Sequence, residues 1–97
     1  MAPRMTPKFR NRETQRVYEG RFVKRFSGIA RQAERRLSVV VLAASLSDLS
    51  ASPGMRLEPL RGDRAGQHSV RVNDQYRICF EWVDGKAINI ELTDYHS

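Results

Sequence analysis

The chain has 97 residues, 40% of them hydrophobic, and a formal net charge of +6. That suits one small domain with a modest core and excludes a disordered chain. The charge is uneven: residues 1–44 hold 11 Lys/Arg against 3 Asp/Glu, whereas residues 45–97 hold 6 against 8. A basic half suits an anionic partner, either nucleic acid, a membrane surface or an acidic protein, or else a solvated helix face.

Residues 1–7 are expected to fray, leaving 8–97 as the single domain. No apolar run approaches a membrane span or a secretion signal, so a cytoplasmic protein without a membrane partner is the simpler reading. Phe9 and its neighbours suggest a short first strand. Asn11 is a plausible N-cap, Glu13 falls in the first turn and Gly20 is a stop, which predicts a helix over 12–19. Ile29, Ala33, Leu37, Val40 and Ala44 recur at helical steps and predict a second helix. Arg31 and Arg35 share another face of it. They are a solvated face or a surface for RNA or a protein partner. Ser50 to Gly54 reads as a polar loop.

After Gly54 the pattern changes to strands: Met55–Leu60, Gln67–Val72, Tyr76–Val83 and Ala87–Leu92. Asn73-Asp74-Gln75 and Asp84-Gly85-Lys86 are turns, and Arg61–Gly66 is a loop. A three-residue loop at each turn keeps the apolar set on one face, because side chains alternate with period two. Val70, Val72, Tyr76, Ile78, Phe80, Trp82, Ile88, Ile90 and Leu92 then form the core face. Arg71, Arg77, Cys79, Glu81, Glu91, Thr93 and Tyr95 form the other. Arg71 opposite Arg77 is repulsive unless an anion joins them. A face of that kind, uncovered by helices, is a candidate anion-binding cleft. His68 has core-face parity and reads as a packed histidine. Cys79, the only cysteine, permits no intramolecular disulfide and reads as a structural thiol. The two histidines, one cysteine and scattered acids show no metal-ligand spacing.

The chain closes on Asp94-Tyr95-His96, an acid, a phenol and an imidazole directly after a core strand. The imidazole of His96 suits an acid or base; Glu58 is an alternative base, or pairs with Arg61. Arg61 and Arg77 can hold a phosphate, Asp94 can orient His96 or pair with an arginine, and Tyr95 can stack on a base or donate to phosphate.

RLEPLRGDRAGQHSVRVNDQYRICFEWVDG at 56–85, followed by ELTDYH at 91–96, resembles the HigB branch of the RelE/ParE toxin superfamily. The pattern L-x-P/A-L-K/R-G-D, then N-x-x-W/Y-R-I-x-F, then D-Y-H carries the resemblance. Residues 8–50 match more loosely, through F-R, two helices and the Ser45–Leu49 segment. The resemblance implies an α+β fold with two N-terminal helices on one face of a mostly antiparallel four- to five-stranded sheet. It implies a toxin of a type II toxin–antitoxin pair that cleaves mRNA at the ribosome, without metal or other cofactor, and arrests translation and growth. The superfamily's alternative is a toxin that acts by binding, as a gyrase inhibitor or an antitoxin-bound regulator. The implied partner is a helix-turn-helix antitoxin of the HigA kind, through which alone operator DNA is met. Outside that complex the toxin is expected to be monomeric. Arg77, Arg61, Asp94, Tyr95 and His96 match family site positions, and Glu58 stands where many members carry histidine. Arg71, Arg31 and Arg35 are the additional candidate RNA contacts.

Overall fold

The computed structural model describes residues 8–94. Helix α1 (Arg12–Tyr18) starts where Asn11 accepts a hydrogen bond from the Thr14 backbone N–H. It stops at Gly20, whose φ of 80° favours glycine. Its inner residues are Thr14 and Val17, and the Thr14 hydroxyl accepts from the Leu92 N–H at 3.0 Å. That bond ties α1 to the last strand. A 3₁₀ turn at Lys24–Ile29 buries Phe26 and leads into α2 (Ala30–Leu42), which buries Ala33, Leu37 and Val40. The expected stripe therefore holds over its middle. Ala44 is not part of it, because the helix ends two residues earlier and Ala44 is exposed.

The expected polar loop begins late. Leu46–Ala51 form a third helix, α3, with Ser45 as its cap: the Ser45 hydroxyl accepts from the Asp48 N–H, and the Asp48 carboxylate accepts from the Ala44 N–H. This reciprocal capping holds a short polar segment helical, and Leu49 anchors it in the core.

Strands β1 (Glu58–Pro59), β2 (Gln67–Arg71), β3 (Tyr76–Val83) and β4 (Lys86–Asp94) form an antiparallel sheet in sequence order. The first strand is shorter than the expected Met55–Leu60. Arg56 takes a φ of 47°, which turns the chain out of the extended conformation. Before β1, the Phe9 segment makes an isolated parallel bridge to Ile90.

The β2–β3 turn is the three-residue loop expected, with Val70 opposite Ile78 and Arg71 opposite Arg77. The β3–β4 turn differs. Val83 pairs with Lys86 around Asp84-Gly85, both at positive φ, a two-residue turn of type I′. The odd residue moves into the strand: Asn89, at φ 51°, makes a bulge between the Cys79–Glu91 and Glu81–Ile88 pairs. Ile78 thus faces Leu92 as expected, but Trp82 faces Ala87 instead of Ile88. Ala87 takes the core place, 3% exposed, and Ile88 is only half-buried.

Helices α1 and α2 cover one face of this sheet. Between them lie Val70, Val72, Ile78, Phe80, Ile90 and Leu92, with Tyr76 and Trp82 packed at the margin. His68 stacks on Phe80 at 6.1 Å between ring centres, as its parity implies. No helix among the described residues is long and apolar enough to cross a membrane.

Candidate active site

Helices leave the second face of the sheet uncovered, yet its middle is not open. Ser69 and Cys79 on it are both 0% exposed. Polar groups shield it. Arg64 lies 3.2 Å from the Glu91 carboxylate and donates to the Gln67 side chain, while Arg10 reaches Glu91 at 3.8 Å. Burial pushes the Cys79 thiol above its ordinary pKa, against the opposing pull of Arg64. It is a structural thiol, not a nucleophile.

Arg77 is the organising cation. Its side chain is 12% exposed. Nε donates to the Ser69 hydroxyl at 2.7 Å and Nη2 donates to the Arg56 carbonyl at 2.9 Å. The Glu58 carboxylate stands 3.5 Å from Nη2. Register explains the meeting. Glu58 pairs with Ser69 across β1–β2, Ser69 pairs with Cys79 across β2–β3, and Arg77 enters two residues before Cys79. The guanidinium leans diagonally onto Ser69. The left-handed Arg56 aims its carbonyl at the same group.

Ser69 and the Arg56 carbonyl were not among the expected site groups. Strand parity could have found Ser69, since it lies on the face of Arg71 and Arg77. No sequence signal marks Arg56, whose role rests on its backbone.

The opposed arginines do not share one anion. Arg71 takes the Asp74 carboxylate and Arg77 takes Glu58. Glu58 therefore pairs with Arg77, where the sequence suggested Arg61, because Arg61 already starts the next 3₁₀ turn and points to solvent. Glu58, Pro59, Leu60 and Arg61 line a depression of about 420 Å³. Arg61 thus reaches the same hollow without a direct contact to Glu58.

Thr93 stands opposite Arg77, and Asp94 stands opposite Tyr76 on the alternate parity. The Asp94 carboxylate accepts from the Gln75 amide at 3.0 Å. Tyr95 and His96 lie outside the described residues. Arg31 and Arg35 are exposed on α2, which packs on the other face of the sheet, and Arg35 shares a hollow with Met55. The fold brings Arg77 and Glu58 together and puts Arg71 at their flank, whereas Arg61 lies on the far side of Glu58, toward the other end of β2.

This arrangement can bind a tetrahedral anion. A fixed guanidinium supplies charge and directed donors, and a carboxylate lies within reach of the bound group. Among the described residues no cluster of three His, Cys, Asp or Glu side chains converges as a metal site.

The chain is similar to known proteins in sequence and in fold. The family model for the RelE-like toxin of the type II toxin–antitoxin system HigB matches residues 7–96. Toxin HigB-1 of Vibrio cholerae is 46% identical over 66 residues, which cover 68% of this chain and 70% of that protein. Endoribonuclease HigB of Proteus vulgaris is 34% identical over 61 residues, 63% of this chain and 65% of that one. In fold, the chain is similar to a chain of the YoeB–YefM complex from Staphylococcus aureus, with TM-score 0.55, 17% identity, and coverage of 98% of this chain and 100% of that one.

Proposed function

The chain belongs to the HigB-like family of RelE-like toxins of type II toxin–antitoxin systems, and from that premise we propose that it is an endoribonuclease that cuts mRNA on the ribosome. One observation carries the proposal: a nearly buried arginine, fixed by Ser69 and the Arg56 carbonyl, with a half-exposed glutamate beside it. A surface ion pair would not need two neutral acceptors to hold its cation.

Cleavage removes the 2′-hydroxyl proton, makes the 2′-oxygen–phosphorus bond and breaks the bond to the 5′-oxygen. Arg77 is assigned to the scissile phosphate, where the phosphorane's growing charge strengthens its hydrogen bonds. Arg61, which lines a hollow with Glu58, is assigned a neighbouring phosphate. As phosphate takes Arg77, the Glu58 carboxylate is released to accept the 2′-hydroxyl proton. His96 is assigned to protonate the leaving 5′-oxygen, Tyr95 to stack on a base or donate to phosphate, and Asp94 to orient this terminal group. Arg71 extends the phosphate track. The partner that silences the toxin is an antitoxin, and we assign it to the HigA-like helix-turn-helix kind. The expected compartment is the bacterial cytoplasm, where ribosomes are.

Expression of the chain in bacteria should arrest growth and create defined 5′ ends inside translated mRNAs. Arg77→Ala should relieve both. Toxicity that survives this change, with intact mRNA and shifted DNA supercoiling, would overturn the proposal.

A further inference from the structure

Seven cations and only two acids occupy residues 8–25, and most of this charge is not used by the site around Arg77. Along α1 and the turn after it, Arg12, Gln15, Arg16, Glu19 and Arg21 line a hollow of about 240 Å³. Glu19 is fully engaged: one carboxylate oxygen lies 3.3 Å from Arg21 and the other accepts from Gln15 at 3.1 Å. Arg12 and Arg16 have no acidic partner among the described residues. They are four apart on the helix, a spacing at which like charges repel. A phosphate would remove that repulsion.

Phe22 follows Arg21 directly and is 76% exposed. The nearby Phe26 is buried beneath the Arg25 guanidinium, 4.5 Å from its ring centre, so the core has its aromatic already. Phe22 is left as a bare ring beside a cationic hollow. The other exposed large apolar residues lie away from Phe22: Val39 and Leu42 on α2, and Val83 at the end of β3. A protein partner needs a contiguous apolar centre, which this surface lacks. A nucleic acid needs cations for its phosphates and an aromatic face for a base, and both are present.

We infer that the outer face of α1, with Arg12, Arg16, Arg21 and Phe22, is a second RNA contact, where ribosomal RNA seats phosphates in the hollow and stacks an unpaired base on Phe22. Arg10 connects the two sites. It reaches Glu91 on the Arg77 face while its backbone N–H bonds to Ile90, so cations run from Arg77's side around β4 to α1. This second contact rests on the ribosome as the site of action. It supplies grip without touching the scissile bond.

The test is binding to purified 70S ribosomes carrying mRNA, with the Arg77→Ala protein as the parent so that cleavage does not interfere. Adding Arg12→Ala and Arg16→Ala together should weaken binding at least tenfold and lower the salt slope by about 2, about 1 per phosphate contact. Adding Phe22→Ala should weaken binding about tenfold and leave that slope unchanged. Thermal midpoints within a few degrees of the parent, and unchanged antitoxin affinity, certify the fold. Unchanged ribosome affinity overturns the inference, and a loss confined to antitoxin binding reassigns the surface to that protein. Should the chain with Arg77 intact fail to cut mRNA while the α1 variants still lose ribosome affinity, the nuclease reading falls and the second contact stands.

Discussion

On the helix-covered face of the sheet, Val70, Ile78, Phe80, Ile90 and Leu92 sit in one apolar cluster with α2. On the other face Ser69 and Cys79 are just as inaccessible, but their neighbours are Arg77, Arg64 and Glu91. Apolar burial stabilises whichever way the side chains settle. Polar burial is worth little net energy, but it fixes a charge in direction. The first face makes the fold, and the second aims Arg77. The contrast implies that changes on the two faces separate stability from activity.

The largest effect should come from Phe80→Ala, which opens a cavity under α2 and costs about 3–5 kcal/mol. Urea unfolding would show it as a shifted midpoint, and that loss is a large part of a small domain's stability. Next is Glu58→Gln. It keeps the shape of the side chain but removes the proposed base, so cleavage should fall about 100-fold with the urea midpoint nearly unmoved. A faster or unchanged cut would make Glu58 only a stand-in anion for phosphate. Ser69→Ala is the intermediate case. It removes the acceptor of the Arg77 Nε–H, and we expect cleavage to drop about tenfold at a stability cost of about 1 kcal/mol. If stability fell as far as for Phe80→Ala, the division between the faces would be wrong.

The smallest effect concerns Cys79. Burial raises its thiol pKa above the ordinary value of 9.0, so the folded chain holds the proton where the unfolded chain releases it. That contribution to stability is full below the unfolded pKa and is lost as pH rises through the folded one. Cys79→Ala should flatten the alkaline limb of a stability–pH curve and change little near neutrality. A thiol reagent should label Cys79 only as fast as the chain unfolds.

How far the sequence could be read follows from the same physics. Periodicity exposed α2 and the core face because an apolar residue on the wrong face costs energy. Parity could not distinguish an odd loop from an even turn plus a bulge, since both keep Ile78 opposite Leu92. Asp84-Gly85 and Asn89 chose the second. Helix α3 was hidden by its Ser and Asp content, although Ser45 and Asp48 spell a capping box. Arg77 and Glu58 were legible as types on the strands. Their meeting was not, because it depends on the left-handed turn at Arg56, and nothing in an arginine announces a positive φ.

The Phe9 bridge to Ile90 has one further consequence. A sheet with free margins invites other chains to add strands, and a toxin released from its antitoxin would be at risk of such templated aggregation. Here β4 is partnered at Ile90 by the Phe9 segment, and the opposite margin, β1, is two residues long and contains Pro59, which has no N–H to offer. Each flank therefore offers an added strand fewer free backbone groups than a long open edge would.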